Sequence, residues 1–399
     1  MITKFQFFRS HALQAARQIQ NRSCASSSAT SIAQKLWNDR LTHKSENLSA
    51  QPSLPYDSSC IKPRPVSDSI TRVHYPLTSD ESFRKEYLRF DGGLRFGNIL
   101  EDMDAITGSV AYLHCNDGNP DTRPLHIVTA SVSHVTFRRF LPTKLNLFDL
   151  AMTAKIRYVG KSSMLIGVEI AEAESQDATS SSKSNGGSSG RTIVEADFVM
   201  VARDVDTQRA AHINPLGDLS LEEQDAFDSG LARIQKEKEE KKVHLDITDP
   251  TVEETSYIHG LYKTKALHLV EGKLNSHSVL SNYDQGSEGD AVSDLKRFSV
   301  GSTMLQNVVL CQPQDQNTAG KIFGGFLMKH AYTTAYCNLR LFVGALGIQD
   351  MVRIVHVDDV TFLRPVEIGN IITFTSHIVY THKRFIQVQV DAEVHCVEG

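Results

Sequence analysis

Arg95-Phe96-Gly97-Asn98-Ile99-Leu100 and Ile322-Phe323-Gly324-Gly325-Phe326-Leu327-Met328 are two versions of one phrase, and their recurrence decides the fold. Each opens a segment with apolar residues at helical spacing: Ile99, Leu100, Met103 and Ile106 after the first, Phe326, Leu327, Ala331 and Ala335 after the second. The copies align at Gly97 and Gly325 and stay in step beyond them. His134-Val135-Thr136-Phe137 answers Asp359-Val360-Thr361-Phe362, and the β-branched or alternating runs at 150–158 and 163–170 answer those at 371–380 and 385–394. Each copy therefore holds one long helix and then strands joined by short turns. That order predicts an α+β unit in which an antiparallel sheet wraps the helix, and two such sheets side by side would run on as one about a pseudo-two-fold axis.

The bulk properties suit such a pair. A chain of 399 residues with 40% hydrophobic content can bury two cores. A net charge of −5 gives no broad cationic field, which argues against nucleic acid as a partner. No apolar run approaches the ~18–20 residues that cross a bilayer, so no stable membrane insertion is expected. The cysteines at 24, 60, 115, 311, 337 and 396 are scattered, the sixteen histidines form no paired helical ligands, and no metal is expected.

Between Met1 and Asn38 there is no Asp or Glu, while Lys4, Arg9, Arg17, Arg22 and Lys35 stand among Ser and Ala. That is the composition of a mitochondrial transit peptide, assigned to 1–38. A Pro/Ser-rich disordered linker follows at 39–65, then a first domain at 66–215, in which the Ser/Gly tract from Ser180 to Gly190 reads as a hairpin loop. Ser220-Leu221-Glu222-Glu223 matches a capping box, and the Glu/Lys-rich run to Lys242 reads as a solvated helix within a linker at 216–255. The second domain is placed at 256–399.

Four stretches carry a resemblance to a known family: Leu94 to Asp104, Tyr158-Val159-Gly160-Lys161-Ser162-Ser163-Met164, Arg191 to Asp204, and Cys311-Gln312-Pro313-Gln314 through Asn317 to Met328. With Val357 to Val366 they cover most of residues 70–399, and together they resemble the mitochondrial acyl-coenzyme A thioesterase 9/10 group of double hot-dog proteins. The resemblance implies hydrolysis of fatty acyl-coenzyme A to free fatty acid and coenzyme A, no cofactor, a location in the mitochondrion and its matrix, and fused pairs that associate into a homo-oligomer. It also implies a site shared between halves, an Asn in the loop before one helix meeting an Asp two turns into the other. In this sequence those positions are Asn317 and Asp104, whereas the symmetry-related pair is Arg89 and Tyr332, so one site per chain is expected. The chain departs from the pattern after His395-Cys396-Val397-Glu398-Gly399, where the second half lacks an equivalent of the strand at 193–203, and an unpaired sheet edge is expected there.

The chemistry needs a base or nucleophile, for which Asp104 is the candidate, and donors for a developing oxyanion. Asp104 can also be read as a solvated helix acid like Glu101 and Asp102, and Asn317 as a turn or cap residue. Gly324 and Gly325, at a helix N-terminus, are candidate backbone oxyanion donors. Arg95, Lys321, Arg138, Arg139 and Lys161 are candidate contacts for coenzyme A phosphates, and His330 reads as a packing or surface residue. No G-x-S-x-G, Walker A or dinucleotide motif occurs. The competing reading is a catalytically silent acyl-coenzyme A binding or assembly protein.

Overall fold

Each half builds its own core from a strand period of two set against a helix period of 3.6. The computed structural model describes residues 32–33, 35–36, 56, 61–119, 122, 125–139, 148–173, 191–240, 250–270, 298–317, 319–348, 352–358, 360–382 and 384–396. The first half runs β1 (Thr71–Tyr75), α1 (Glu81–Tyr87), α2 (Phe96–Cys115), β2 (His126–Phe137), β3 (Leu150–Val159), β4 (Ser163–Glu172) and β5 (Thr192–Arg203). Two helices follow, α3 (Leu221–Glu240) and α4 (Val252–Val270). The second half holds β6 (Leu305–Leu310), α5 (Gly324–Ala345), β7 (His356–Val357), β8 (Val360–Thr361), β9 (Ile371–His382) and β10 (Phe385–His395).

In the first half, Ile99, Met103, Ile106 and Val110 recur at helical spacing and are all 0% exposed. They make α2 the central helix. Along β3, Leu150, Met152, Ala154 and Ile156 alternate inward against it. Burying each large apolar side chain contributes about 1.5–3 kcal/mol, which is why the sheet wraps that stripe. The antiparallel order is β1-β3-β4-β5-β2, and the second half joins its edge: β7 and β8 both pair with β2, at Val135↔Val357 and Val132↔Val360.

The sheets do not run on as a single one. β10, β9 and β6 form a separate three-stranded sheet. In the first half β5 bridges β4 to β2, pairing Ser163 with Val201 and Val132 with Phe198. Among the described residues of the second half no strand bridges β10 to β8. A second difference concerns α5. Phe326, Leu327, Ala331 and Ala335, expected as the buried stripe of α5, are only half-buried. The positions that are buried along α5 are Gly325, Met328, Thr334, Asn338, Leu339, Phe342 and Val343.

The domain boundaries also shift. Residues 32, 33, 35 and 36 are helical, and Ile32 and Ala33 are buried, although the transit-peptide reading took in residue 38. The Tyr56 hydroxyl donates to Asn214 Oδ1 (2.5 Å), and Arg64 N–H donates to the Pro215 carbonyl (3.0 Å), so ordered chain begins before Val66. Asn214 also accepts at its carbonyl from His114 Nε2 (2.8 Å) and donates to the Lys62 carbonyl (2.9 Å). These ties join residues a hundred or more positions apart, beyond any local pattern. Helix α3 is docked rather than fully solvated: Phe227 packs on Tyr158 with ring centroids 5.0 Å apart, and Arg233 and Arg157 both pair with the buried Asp197. Helix α4 extends well past residue 255, with residues 252–260 exposed, and the described part of the second half resumes at residue 298. The tract at 180–190, Asp359, and residues 1–31 lie outside the described residues. Among the described residues, no helix is long and apolar enough to cross a membrane.

Candidate active site

The two central helices cross where each offers a glycine. A Cβ on Gly97 would lie 3.2 Å from the Lys329 carbonyl oxygen, and one on Gly325 would lie 2.9 Å from Glu101 Cα. Glu101 and Lys329 are equivalent positions of the repeat, and their ion pair at 2.9 Å bridges the halves. The helices therefore run antiparallel about the pseudo-axis, and the start of each reaches one turn beyond the middle of the crossing.

That approach delivers Asp104 to the N-terminus of α5. Its side chain is 1% exposed. Oδ2 accepts from the Gly325 N–H at 2.6 Å, and Oδ1 accepts from the Thr129 hydroxyl at 2.5 Å. The first helical amides have no partner within their own helix and carry the positive end of its dipole, so a carboxylate is stabilised there. A fixed donor on each oxygen holds the carboxylate plane. Gly324 closes the pocket: a Cβ there would lie 3.0 Å from Asp104 Oδ2, 3.4 Å from the Phe362 ring and 3.6 Å from Thr129 Cβ. The first half thus supplies Asp104 and Thr129, and the second supplies Gly324, Gly325 and Phe362.

Gly325 is corrected from the sequence expectation, because its N–H is spent on Asp104 and is not open to an oxyanion. Gly324, at the first position of the helix, remains. Thr129 was missed. It stands on β2 two positions after the buried Ile127, in the inward register that the folded strand reveals.

Asn317 sits in the tight turn that leads into α5. Its carboxamide oxygen accepts from the N–H groups of Ala319 (2.9 Å) and Lys321 (3.1 Å), so that end is committed to the turn and not to Asp104. The backbone repeats the first half closely. Asn317 N–H donates to the Lys321 carbonyl (2.6 Å) and Gly320 N–H to the Asn317 carbonyl (3.0 Å); Arg89 makes the same two bonds with Gly93 (2.7 Å) and Gly92 (3.0 Å). Gly92 and Gly320 both take positive φ, 81° and 73°, which a side chain would strain.

The symmetry-related position is occupied differently. Arg89 stacks over the Tyr336 ring at 4.6 Å and pairs with Asp91 at 2.9 Å, and its charge acts on Tyr332. Burial raises the Tyr332 phenol, with the Arg89 charge pulling against it. Phe96, the counterpart of Gly324, packs on Tyr332 with centroids 5.6 Å apart. Tyr332 takes the place of Asp104, and the carboxylate at hand, Asp91, is paired with Arg89.

The five cations proposed for coenzyme A are dispersed. Lys321 pairs with Glu367, and Arg138 with Glu195 at 2.8 Å. Arg95, Arg139 and Lys161 are exposed, and none of the five shows a bond to Asp104. His330 stacks between Phe326 (4.4 Å) and Phe374 (6.0 Å), and burial lowers its pKa. Among the described residues no group of three or more His, Cys, Asp or Glu is placed to hold a metal.

A family model described as the thioesterase superfamily matches residues 319–394. The chain is 28% identical over 364 residues to acyl-coenzyme A thioesterase 9, mitochondrial, of Mus musculus, covering 91% of this chain and 75% of that protein. It is 27% identical over the same length to acyl-coenzyme A thioesterase 10, mitochondrial, of Mus musculus, with the same coverage. It is 30% identical over 370 residues to acyl-coenzyme A thioesterase 4, mitochondrial, of Humulus lupulus, covering 91% of this chain and 63% of that protein.

Proposed function

As a relative of the double hot-dog acyl-coenzyme A thioesterases over nine-tenths of its length, the chain, we infer, hydrolyses acyl-coenzyme A to a free acid and coenzyme A. The observation that carries the site is Asp104 from one half seated on the α5 N-terminus of the other. A water beside the carboxylate gives its proton to Asp104 as its oxygen attacks the thioester carbonyl carbon. The developing oxyanion is met by the N–H of Gly324 at the positive end of the helix. Collapse expels the coenzyme A thiolate, which takes the proton back from Asp104. Direct attack by Asp104 on the carbonyl would instead give an anhydride. A single turnover in heavy-oxygen water tells the two apart, because only the anhydride route leaves label in the protein.

Asn317 is assigned to substrate positioning by symmetry. The operation that carries Arg89 onto Asn317 carries Tyr332 onto Asp104, and the Arg89 charge acts on the Tyr332 phenol. The NH2 end of the Asn317 carboxamide is the donor not used by the turn. Arg95, Lys321, Arg138, Arg139 and Lys161 stay proposed phosphate contacts.

The mitochondrion is supported by the relatives' names and by the acid-free N-terminal sequence, and we place the enzyme in the matrix. Further self-association of the fused pair is part of the same proposal, and light scattering of the purified protein tests it. For the activity, purified chain is given acyl-coenzyme A substrates of graded length and thiol release is followed. Release that Asp104→Asn lowers by about 10²–10⁴-fold is expected. Binding without release, in the unaltered protein, establishes the silent binder instead.

A further inference from the structure

Asp102 is a buried carboxylate that the proposed chemistry does not use. It lies on α2, 1% exposed, on the side facing away from the second half. Tyr75 and Tyr87 donate their hydroxyls to Oδ2 at 3.0 and 2.7 Å, and both tyrosines are 0% exposed. The donor on Oδ1 comes from far away in sequence: the N–H of Ala33, at 2.8 Å. Ile32 N–H donates in turn to the Tyr87 hydroxyl at 3.0 Å. Ile32 is 4% exposed and Leu36, one turn later, packs against the same core, so the short helix presents an apolar face as well as its first amides. Burial drives the Asp102 carboxyl up to about 7, while Tyr87, Ala33 and Tyr75 pull it down. A buried acceptor stripped of a donor keeps its desolvation cost and loses the compensation.

We propose that the helical residues 32, 33, 35 and 36 form a permanent plug of the first half, docked on Asp102 and Tyr87, and that removal of the leader therefore cuts upstream of Ile32. The leader itself rests on the mitochondrial reading above; the plug rests on the hydrogen bonds alone. A leader removed as far as residue 38 would take away both N–H donors and expose the apolar seat of Ile32.

Two arms separate these claims. In the first, full-length chain, chain beginning at Ser31 and chain beginning at Asp39 are melted side by side. The first two should agree within about a degree, and the third should melt several degrees lower. Equal melting of all three overturns the plug. Because the shortest chain can fail to fold, hydrogen exchange is also read on full-length protein. The amides of Ile32 and Ala33 should be protected, and Asp102→Leu should accelerate exchange at Ala33 at least tenfold. Unprotected amides, or exchange unchanged by the substitution, overturn the plug as well. In the second arm the protein is recovered from mitochondria and its first residue determined. A first residue at or before Ile32 is expected, and one beyond it overturns the proposal. A chain found uncut, or outside mitochondria, refutes the leader while the melting arm still decides the plug.

Discussion

Asp102 and Asp104 are both 1% exposed and stand two residues apart on α2, but their partners set them apart. Asp104 points across the interface to a helix N-terminus and the Thr129 hydroxyl; Asp102 points into its own half at two tyrosines. Thr129→Val removes one of the fixed donors while keeping the shape. It should lower kcat about tenfold or more with KM nearly unchanged, and lower the melting temperature by a few degrees, since the donor serves both the geometry and the burial of the carboxylate. Asp102 yields a stability prediction. Its folded pKa of about 7 lies above the ordinary 3.8, so the folded state holds the proton more tightly. Its contribution is full below about pH 4 and is lost as pH rises to about 7, at up to ~1.4 kcal/mol per unit. Urea unfolding of wild type and Asp102→Asn at pH 5 and pH 8 should show a steeper loss toward pH 8 in the wild type; equal slopes would refute the assignment. Asp104 came from the family resemblance, which puts an acid two turns into the helix, seven residues after Gly97. Thr129 was not legible, because nothing local distinguishes one strand threonine from another.

At the level of elements, the strands read from sequence at 150–158, 163–170, 371–380 and 385–394 agree with β3, β4, β9 and β10 to within two residues at either end. Alternation and flanking turns are local, and a single chain shows them. The docking of α3 was not legible, because Asp197, Arg157 and Arg233 meet only in three dimensions. The glycine at each helix start was legible as the anchor of the repeat, and the structure shows it to be a point of close approach. A Cβ at position 325 would lie 2.9 Å from Glu101 Cα and 3.0 Å from its carbonyl oxygen, both backbone atoms that cannot swing away. Gly325→Ala should therefore cost about 1–3 kcal/mol in denaturant unfolding and also disturb Asp104. Gly97→Ala, whose nearest atom lies 3.2 Å off, should cost less.

The whole molecule is a fused pair whose halves have diverged at matching positions. The general plan was legible through the repeat, but the split of the sheet was clear only once the role of β5 between β4 and β2 was seen. At the pseudo-axis Glu101 faces Lys329, with side chains 17% and 35% exposed. Glu101→Lys should destabilise the chain by about 1 kcal/mol, and the exchange Glu101→Lys with Lys329→Glu should recover most of the loss; no recovery would show that the charges do not communicate. An axial site is where a subunit meets its own image. Two copies of the first half, docked in this way, would set glutamate against glutamate, and two copies of the second would set lysine against lysine. The opposed signs therefore act as a mating rule, rejecting like halves and admitting unlike ones, so that the carboxylate-bearing helix is kept with the twin that offers it a glycine amide.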